Sequence, residues 1–559
     1  MYDEKKILVI IPARGGSKGI PKKNLRLLCG NPLISYVIKV ARNSKYVDDV
    51  IISTDDENIK FVSEKFGAET LMRTAELSND DVPLDPVIYD ALIRKEKKES
   101  ITYDIVITIQ PTSPLLKSTT LDKAIEKFSD EKIDSVISVV DDRHLSWGFN
   151  EKKGVYYPLY EKRLNRQYLP KKFRETGSIL ATKHDCITEN SRLGKNIDLI
   201  EVSAEESTDI DNYSDWWLAE NYMNKKRIAI IVNANEKIGT GHIYRCLSIA
   251  SKLLFHDVFF ILNQTHKLGI DIVKNNHYPY KIYSDEGDFY SILDEYSPNI
   301  VINDVLDTSD SYIKKLKDKN YFVVNFEDLG TGIKEADLVF NALYEYETEE
   351  DNVYMGHEYY ILKDEFFLET PKLIENNVKN VLITFGGTDS NNFTEKIIKA
   401  LLKTEYSQKI TIILGIGYPK KQELIDKYKN MKNIEIFKNV DNISQYMVNA
   451  DIIFTSAGRT MYEICSLGIP TICLCQNKRE QTHVFANEKN GFINMGLGIE
   501  VNENEIIEQF NELLHNYELR KNMNNKMLSI DLKHGFDNIW SIIKTNYQKN
   551  KGSEEFEYF

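Results

Sequence analysis

Arg14, Lys18, Lys22 and Lys23 are interleaved with Gly15, Gly16 and Gly19 in one short segment of this sequence. Glycines let successive backbone N–H groups turn towards an anion, and the basic side chains add charge at the same place. The spacing is neither that of a Walker A loop nor that of a dinucleotide fingerprint. A basic surface turn would carry similar residues, so the segment alone leaves both readings open. Asp209 and Asp211 stand two residues apart. On extended backbone both carboxylates would face one side. That suits a hard cation such as Mg²⁺, which takes one or two carboxylates plus substrate phosphates. An acidic capping turn before the helix expected at 214–224 has the same composition.

The second half holds two comparable segments, Gly239-Thr240-Gly241-His242 and Ser456-Ala457-Gly458-Arg459. Each follows an apolar run and opens a helix, whose N-terminus favours anions such as a diphosphate. His242 would sit where its helix starts, a position that lowers histidine pKa and keeps the imidazole neutral and basic. A capping or packing histidine is the alternative. Glu463, one turn into the later helix, can accept hydrogen bonds from ribose hydroxyls. It also suits the solvent face of an ordinary turn.

The elements that must position these residues alternate. In the first half, strands are expected at 7–11, 50–53, 105–110 and 135–139, with helices at 32–42, 55–66 and 119–128. Such alternation predicts an α/β fold, a parallel sheet covered on both faces, with ligands at the carboxyl ends of the strands. Polar residues after each strand therefore carry the information: the basic loop, Ser53-Thr54-Asp55, Arg73 with Ser78, and Gln110-Pro111-Thr112-Ser113-Pro114. Arg166 and Gln167 lie in a charged stretch, 162–174, which is either a solvated face or an arginine site for a carboxylate. In the second half, strands at 228–232, 258–262, 300–303, 322–325 and 338–341 precede a second set at 381–385, 411–414, 434–437, 452–455 and 471–474. Two Rossmann-like lobes with a cleft between them are predicted. The expected divisions are 1–224, 225–375, 376–545 and a tail, 546–559.

At 559 residues the chain is too long for one core. Its net charge of −14 excludes a general nucleic-acid binder, so the basic clusters must serve small anions. The 6 cysteines include no C-x-x-C pair, which points to a reducing compartment and no disulfide framework. Neither a secretory signal nor an apolar run long enough for a membrane span is present, so a cytoplasmic location is expected.

In their order, the segments ARGGSKGIPKKN, Gln110–Pro114, Arg166-Gln167 and Thr208-Asp209-Ile210-Asp211 resemble the motifs of the CMP-sialic acid synthetase (acylneuraminate cytidylyltransferase) family, over residues 5–222. Where that family has Asn-Gly-Ala-Ile, this chain has Thr176-Gly177-Ser178-Ile179. The resemblance implies attack by the anomeric hydroxyl of a nine-carbon 2-keto sugar acid on the α-phosphate of CTP, with pyrophosphate leaving. It implies that Arg14, Lys23 and Arg73 hold the triphosphate, and that Ser17, Asn24 and Ser78 contact the nucleotide. Gln110, Arg166 and Gln167 would contact the sugar acid, and Asp209 and Asp211 would hold Mg²⁺. A homodimer is implied by the same analogy.

GTGHIYRCLSIA, FGGTDSNN and SAGRTMYEICSLGIP resemble the UDP-sugar hydrolase of pseudaminic acid synthesis and related GT-B glycosyltransferases, over residues 227–500. That resemblance implies release of UDP from a diacetamido-trideoxyhexose. His242 would activate water, Ser456, Gly458 and Glu463 would hold the nucleotide, and no cofactor would be needed. The family's Arg-Val-Asp opening is Ile231-Val232-Asn233 here, and Asp304 is a polar neighbour without an assigned role. A bifunctional nonulosonic-acid enzyme is the reading that results. A glycosyltransferase, or a silent sugar-nucleotide-binding or oligomerising module, is the alternative for the second half.

Overall fold

The computed structural model describes residues 4–16, 19–79, 81–234, 240–415, 417–438, 440 and 442–551. It divides into two compact units, the first ending at Lys225 and the second beginning at Lys226.

In the first unit the strand Ile7–Pro12 is buried along its whole length. A run of aliphatic residues with no polar alternation fits a strand covered on both faces. Each such side chain contributes about 1.5–3 kcal/mol by leaving water. It pairs in parallel with Asp49–Thr54 on one side and Ile105–Thr108 on the other. The seven strands lie in the order Ile197–Glu201, Ser135–Asp141, Phe173–Lys183, Ile105–Thr108, Ile7–Pro12, Asp49–Thr54, Glu69–Met72. The sheet is mixed, not wholly parallel as the alternation predicts. Phe173–Lys183 runs antiparallel to both its neighbours. The chain before it contains the hairpin Trp147–Asn150 with Val155–Pro158 in place of a crossover helix. Without a crossover, the returning strand pairs antiparallel.

The second unit contains two parallel sheets. One has the order Tyr280–Tyr283, Asp257–Asn263, Arg227–Val232, Ile300–Asp304, Phe322–Phe326, Leu338–Asn341, Val353–Met355. The other runs Ile434–Lys438, Lys409–Leu414, Asn380–Thr384, Ile452–Thr455, Thr471–Cys475, Phe492–Leu497. In both, strand order reverses beside the first strand, which opens a crevice at the carboxyl ends. The last helix, Gly535–Lys551, extends through the stretch expected as lobe end and tail. Its Ile539, Ile543 and Tyr547 join the core of the first of these sheets, not the second. Spaced four apart, they form one apolar stripe that must be covered. No helix among the described residues is long and apolar enough to cross a membrane.

Candidate active sites

In the first unit, the basic loop leaves the carboxyl end of the central strand and closes on the 209–211 segment. Lys23 Nζ donates to the Ile210 carbonyl at 2.6 Å and pairs with Asp211 Oδ1 at 3.2 Å. A Cβ built on Gly19 would stand 2.2 Å from the Asp211 carbonyl oxygen, so only glycine allows this approach. Lys22, a non-glycine residue with φ 53°, occupies the left-handed region where the loop turns into the short helix Lys23–Leu25. Such strain gathers at functional turns. The buried Asn24 donates through Nδ2 to the Arg14 carbonyl at 3.0 Å and so braces the loop internally. On the next strand end, Gly15 N–H donates to Asp55 Oδ1 at 2.8 Å. Arg73 Nε and Nη2 bond the Ser53 hydroxyl and carbonyl at 3.0 and 2.8 Å. Burial, opposed by nearby Asp55 and reinforced by Arg14, lowers the Arg73 pKa from its usual value. Arg14, Lys23 and Arg73 therefore gather around one strand-end crevice.

Asp209 Oδ1 is buried with no hydrogen-bond partner. Burial, with Asp211 adding to it against Thr112 and Lys23, raises this carboxyl above the ordinary aspartate value. An orphaned carboxylate oxygen beside a second, exposed carboxylate fits a divalent cation, although the described residues contain no cluster of three or more metal-binding side chains. Gln110 lies under Gly177, whose φ is +71° and whose Cβ would meet Gln110 Nε2 at 2.9 Å. The pairing of Phe173–Lys183 with Ser135–Asp141 breaks there, between Glu175 and Leu180. Inside that bulge the hydroxyls of Thr176, Ser138 and Ser178 bond one another at 2.7–2.9 Å. Arg166 and Gln167 sit exposed on the short helix Arg166–Tyr168, in the same excursion as the hairpin. Ser78 caps back onto the Thr74 carbonyl at 2.8 Å. Ser17 lies outside the described residues.

In the second unit, the helix Gly241–Lys252 starts at the crevice, and His242 is its second residue. His242 Nδ1 is 2.5 Å from Asp304 Oδ1. A carboxylate only accepts, so Nδ1 carries a proton, and in the neutral ring this tautomer leaves the lone pair on Nε2. Asp304, the last residue of its strand, is fully buried. It also takes Arg245 Nε and Nη2, both at 2.6 Å. Burial alone would raise its carboxyl; Arg245 and His242 outweigh that and hold it well below the usual range. Arg245 Nη1 reaches Glu327 Oε1 at 2.9 Å. Sequence reasoning missed Arg245 and left Asp304 without a role. The signals were a basic residue three positions after His242, on the same helix face, and an aspartate ending the strand beside the first one.

The two lobes meet around this histidine. A Cβ on Gly387 would lie 2.9 Å from Thr240 Oγ1, and one on Gly241 would lie 3.2 Å from Arg459 Cδ. Ser456 is buried beside Glu480, and a Cβ on Gly458 would stand 3.6 Å from Glu480 Oε1. Burial, against Gln476 and Ser456 hydrogen bonds, pushes Glu480 up to about 7. Glu463 is buried and pairs with Lys363 at 2.8 Å, so it is not on a solvent face.

Residues 8–179 match the cytidylyltransferase family model, and residues 380–540 match that of the glycosyltransferase family 28 C-terminal domain. The chain is 32% identical over 235 residues to the CMP-N,N'-diacetyllegionaminic acid synthase of Legionella pneumophila subsp. pneumophila, covering 40% of this chain and 100% of that one. It is 31% identical over 275 residues to an uncharacterised protein of Methanocaldococcus jannaschii, covering 46% of this chain and 57% of that protein. Among solved structures, MurG of Acinetobacter baumannii resembles 57% of this chain over 99% of its own length, at 14% identity and a TM-score of 0.44.

Proposed function

This chain belongs to the cytidylyltransferase family through its first unit, and from that premise we propose that the unit transfers CMP from CTP to a nonulosonic acid. The observation that carries the reading is the closure of the basic loop on the acidic segment, Lys23 on Ile210 and Asp211. It supports the reading by bringing a cationic donor of the loop against the segment that carries the Asp209 and Asp211 carboxylates. Lys23, Arg14 and Arg73 hold the triphosphate and stabilise charge as the α-phosphate is attacked, with Ser17, Asn24 and Ser78 contributing to nucleotide contact. Asp209 and Asp211 would hold Mg²⁺, which when bound neutralises charge on the departing pyrophosphate. Gln110 faces the acceptor sugar from beneath the bulge at Gly177. Arg166 and Gln167 bind its carboxylate. The exposed aromatic residues on the same excursion, Trp147, Phe149, Tyr156 and Tyr168, suit burial against a second copy of the chain, which supports a homodimer. Pyrophosphate release from CTP, measured with a panel of sialic, legionaminic and pseudaminic acids, tests the assignment. No release with any of them overturns it.

The second unit, by the same reading, acts on a UDP-sugar. His242, oriented by Asp304, takes the proton from the oxygen that attacks the anomeric carbon, while Ser456, Gly458 and Glu463 hold the nucleotide. With water as the attacking group the reaction is hydrolysis of a UDP-diacetamido-trideoxyhexose. The glycosyltransferase match favours a sugar hydroxyl as a second reading. Free UDP measured with and without an acceptor separates the two. Binding without turnover in either condition makes the unit a silent module. Neither unit's chemistry needs a membrane or a nucleic acid, and the proposed setting is the cytoplasm.

A further inference from the structure

Arg459 is built into the second unit in a way that ordinary packing does not account for. It immediately precedes the helix Thr460–Leu467, at the carboxyl end of the strand Ile452–Thr455. Its guanidinium lies 4.9 Å over the Tyr360 ring, and the Tyr360 hydroxyl donates to the Arg459 carbonyl at 3.1 Å. Tyr360 itself stacks on Tyr462, 4.1 Å between centroids, and Tyr462 stacks on Phe485. A rigid aromatic pile thus fixes the guanidinium on one face, and Gly241 backs its stem next to His242. Yet Arg459 Nη1 is buried and has no hydrogen-bond partner. Among the described residues no carboxylate lies within 4.0 Å of it.

A buried guanidinium nitrogen left unbonded costs free energy unless something else completes it. Glu327 shows the complementary fault. It is 3% exposed, its Oε2 has no partner, and it holds φ 52°, a conformation L residues rarely adopt. Arg459 is near enough for its charge to offset part of the burial cost on that carboxyl, but the two do not bond. A residue that existed only to balance Glu327 would bond it.

We propose that Arg459 is a phosphate-binding residue, whose free nitrogen takes the β-phosphate of the nucleoside diphosphate that leaves as His242 activates the attacking oxygen. This deepens the UDP-sugar reading of the second unit and rests on it. The planar fork of arginine suits phosphate oxygens, and the start of the following helix adds N–H groups to the same anion. A Cβ on Gly241 would stand 3.2 Å from Arg459 Cδ, so the arginine stem lies against the start of the His242 helix.

Titration calorimetry of the full chain with uridine, UMP and UDP tests the assignment. The unaltered chain should bind UDP more tightly than UMP. Arg459→Gln should weaken UDP by roughly ten- to a hundredfold, the range of a charged hydrogen bond, while uridine changes less than about twofold. Arg459→Lys should recover part of the loss. An unchanged ratio of UDP to uridine affinity in Arg459→Gln overturns the proposal. So does equal weakening of all three ligands with a lower Tm that Glu327→Gln restores in the double variant, since Arg459 is then a counter-charge only. If Arg459→Gln does not fold, Arg459→Lys decides by the same ratio. No binding of any of the three to the unaltered chain overturns the UDP-sugar reading itself, and the proposal with it.

Discussion

Gly19 and the Asp211 carbonyl oxygen are in such close approach that a Cβ on Gly19 would lie 2.2 Å from that oxygen. The basic loop and the acidic segment, almost two hundred residues apart in sequence, are therefore held together through one missing side chain. Gly19→Ala must push them apart. It should cost about 1–3 kcal/mol, the usual range for overpacking, and lower pyrophosphate release from CTP. A Cβ on Gly16 would meet nothing within 4 Å, so Gly16→Ala should change stability by less than about 0.5 kcal/mol. Thermal melts of the two variants give the comparison.

Lys23 bridges the same two segments and is assigned to the triphosphate. Lys23→Ala and Asp211→Asn should each lower cytidylyl transfer by about a hundredfold or more, as for other preorganised charges at a reacting phosphate. Action on a UDP-sugar by the second unit should stay intact in both. A variant that keeps normal transfer would remove that residue from the site.

His242 and Asp304 share one hydrogen bond but differ in what else depends on them. His242→Ala should lower UDP release by about 10²–10⁴, the contribution of a general base, with little change in Tm. Asp304→Asn should lower it as well and also destabilise the unit by about 3–5 kcal/mol, because Arg245 loses its buried partner. Equal Tm in the two variants would contradict the geometry.

Glu480, pushed up to about 7 by burial, faces the Ser456–Gly458 loop. Its folded pKa lies above the ordinary value of 4.5, so the folded state holds this proton more tightly than the unfolded chain does. Its contribution to stability is present below about pH 4.5 and is lost as pH climbs through about 7. A diphosphate at the same loop adds negative charge, so UDP affinity should hold steady at lower pH and then fall as pH rises through about 7, where the folded protein's carboxyl ionises. Glu480→Gln should flatten both profiles relative to the unaltered chain, read by thermal melts and calorimetry between pH 5 and about 8.5.

The strands that carry the chemistry were legible because their apolar runs are long and uninterrupted. Ile7–Pro12 and Arg227–Val232 read as buried strands before any contact is known. The glycine-rich loops after them, and Asp209 with Asp211, stand out by residue type and spacing. Phe173–Lys183 was harder to place, since its outer residues are exposed and its direction depends on a hairpin, not on any residue within it. Glu327 and Lys363 carry no local signal either, and Arg245 carries only its spacing of three from His242. A single charged residue in a helix or after a strand looks solvated until its partner is known.

The sequence by itself determined the α/β character of both units, a glycine-rich loop after the first strand of each and the acidic pair, because periodicity and loop composition are local properties of the chain. Only the tertiary structure decided that Asp304 bonds His242, that Glu463 is buried and pairs with Lys363 through one oxygen, and that Arg459 and Glu327 each keep an unbonded buried atom. The physical reason is that burial and pairing are set by residues distant in sequence, and a charge means something different once water is excluded from around it.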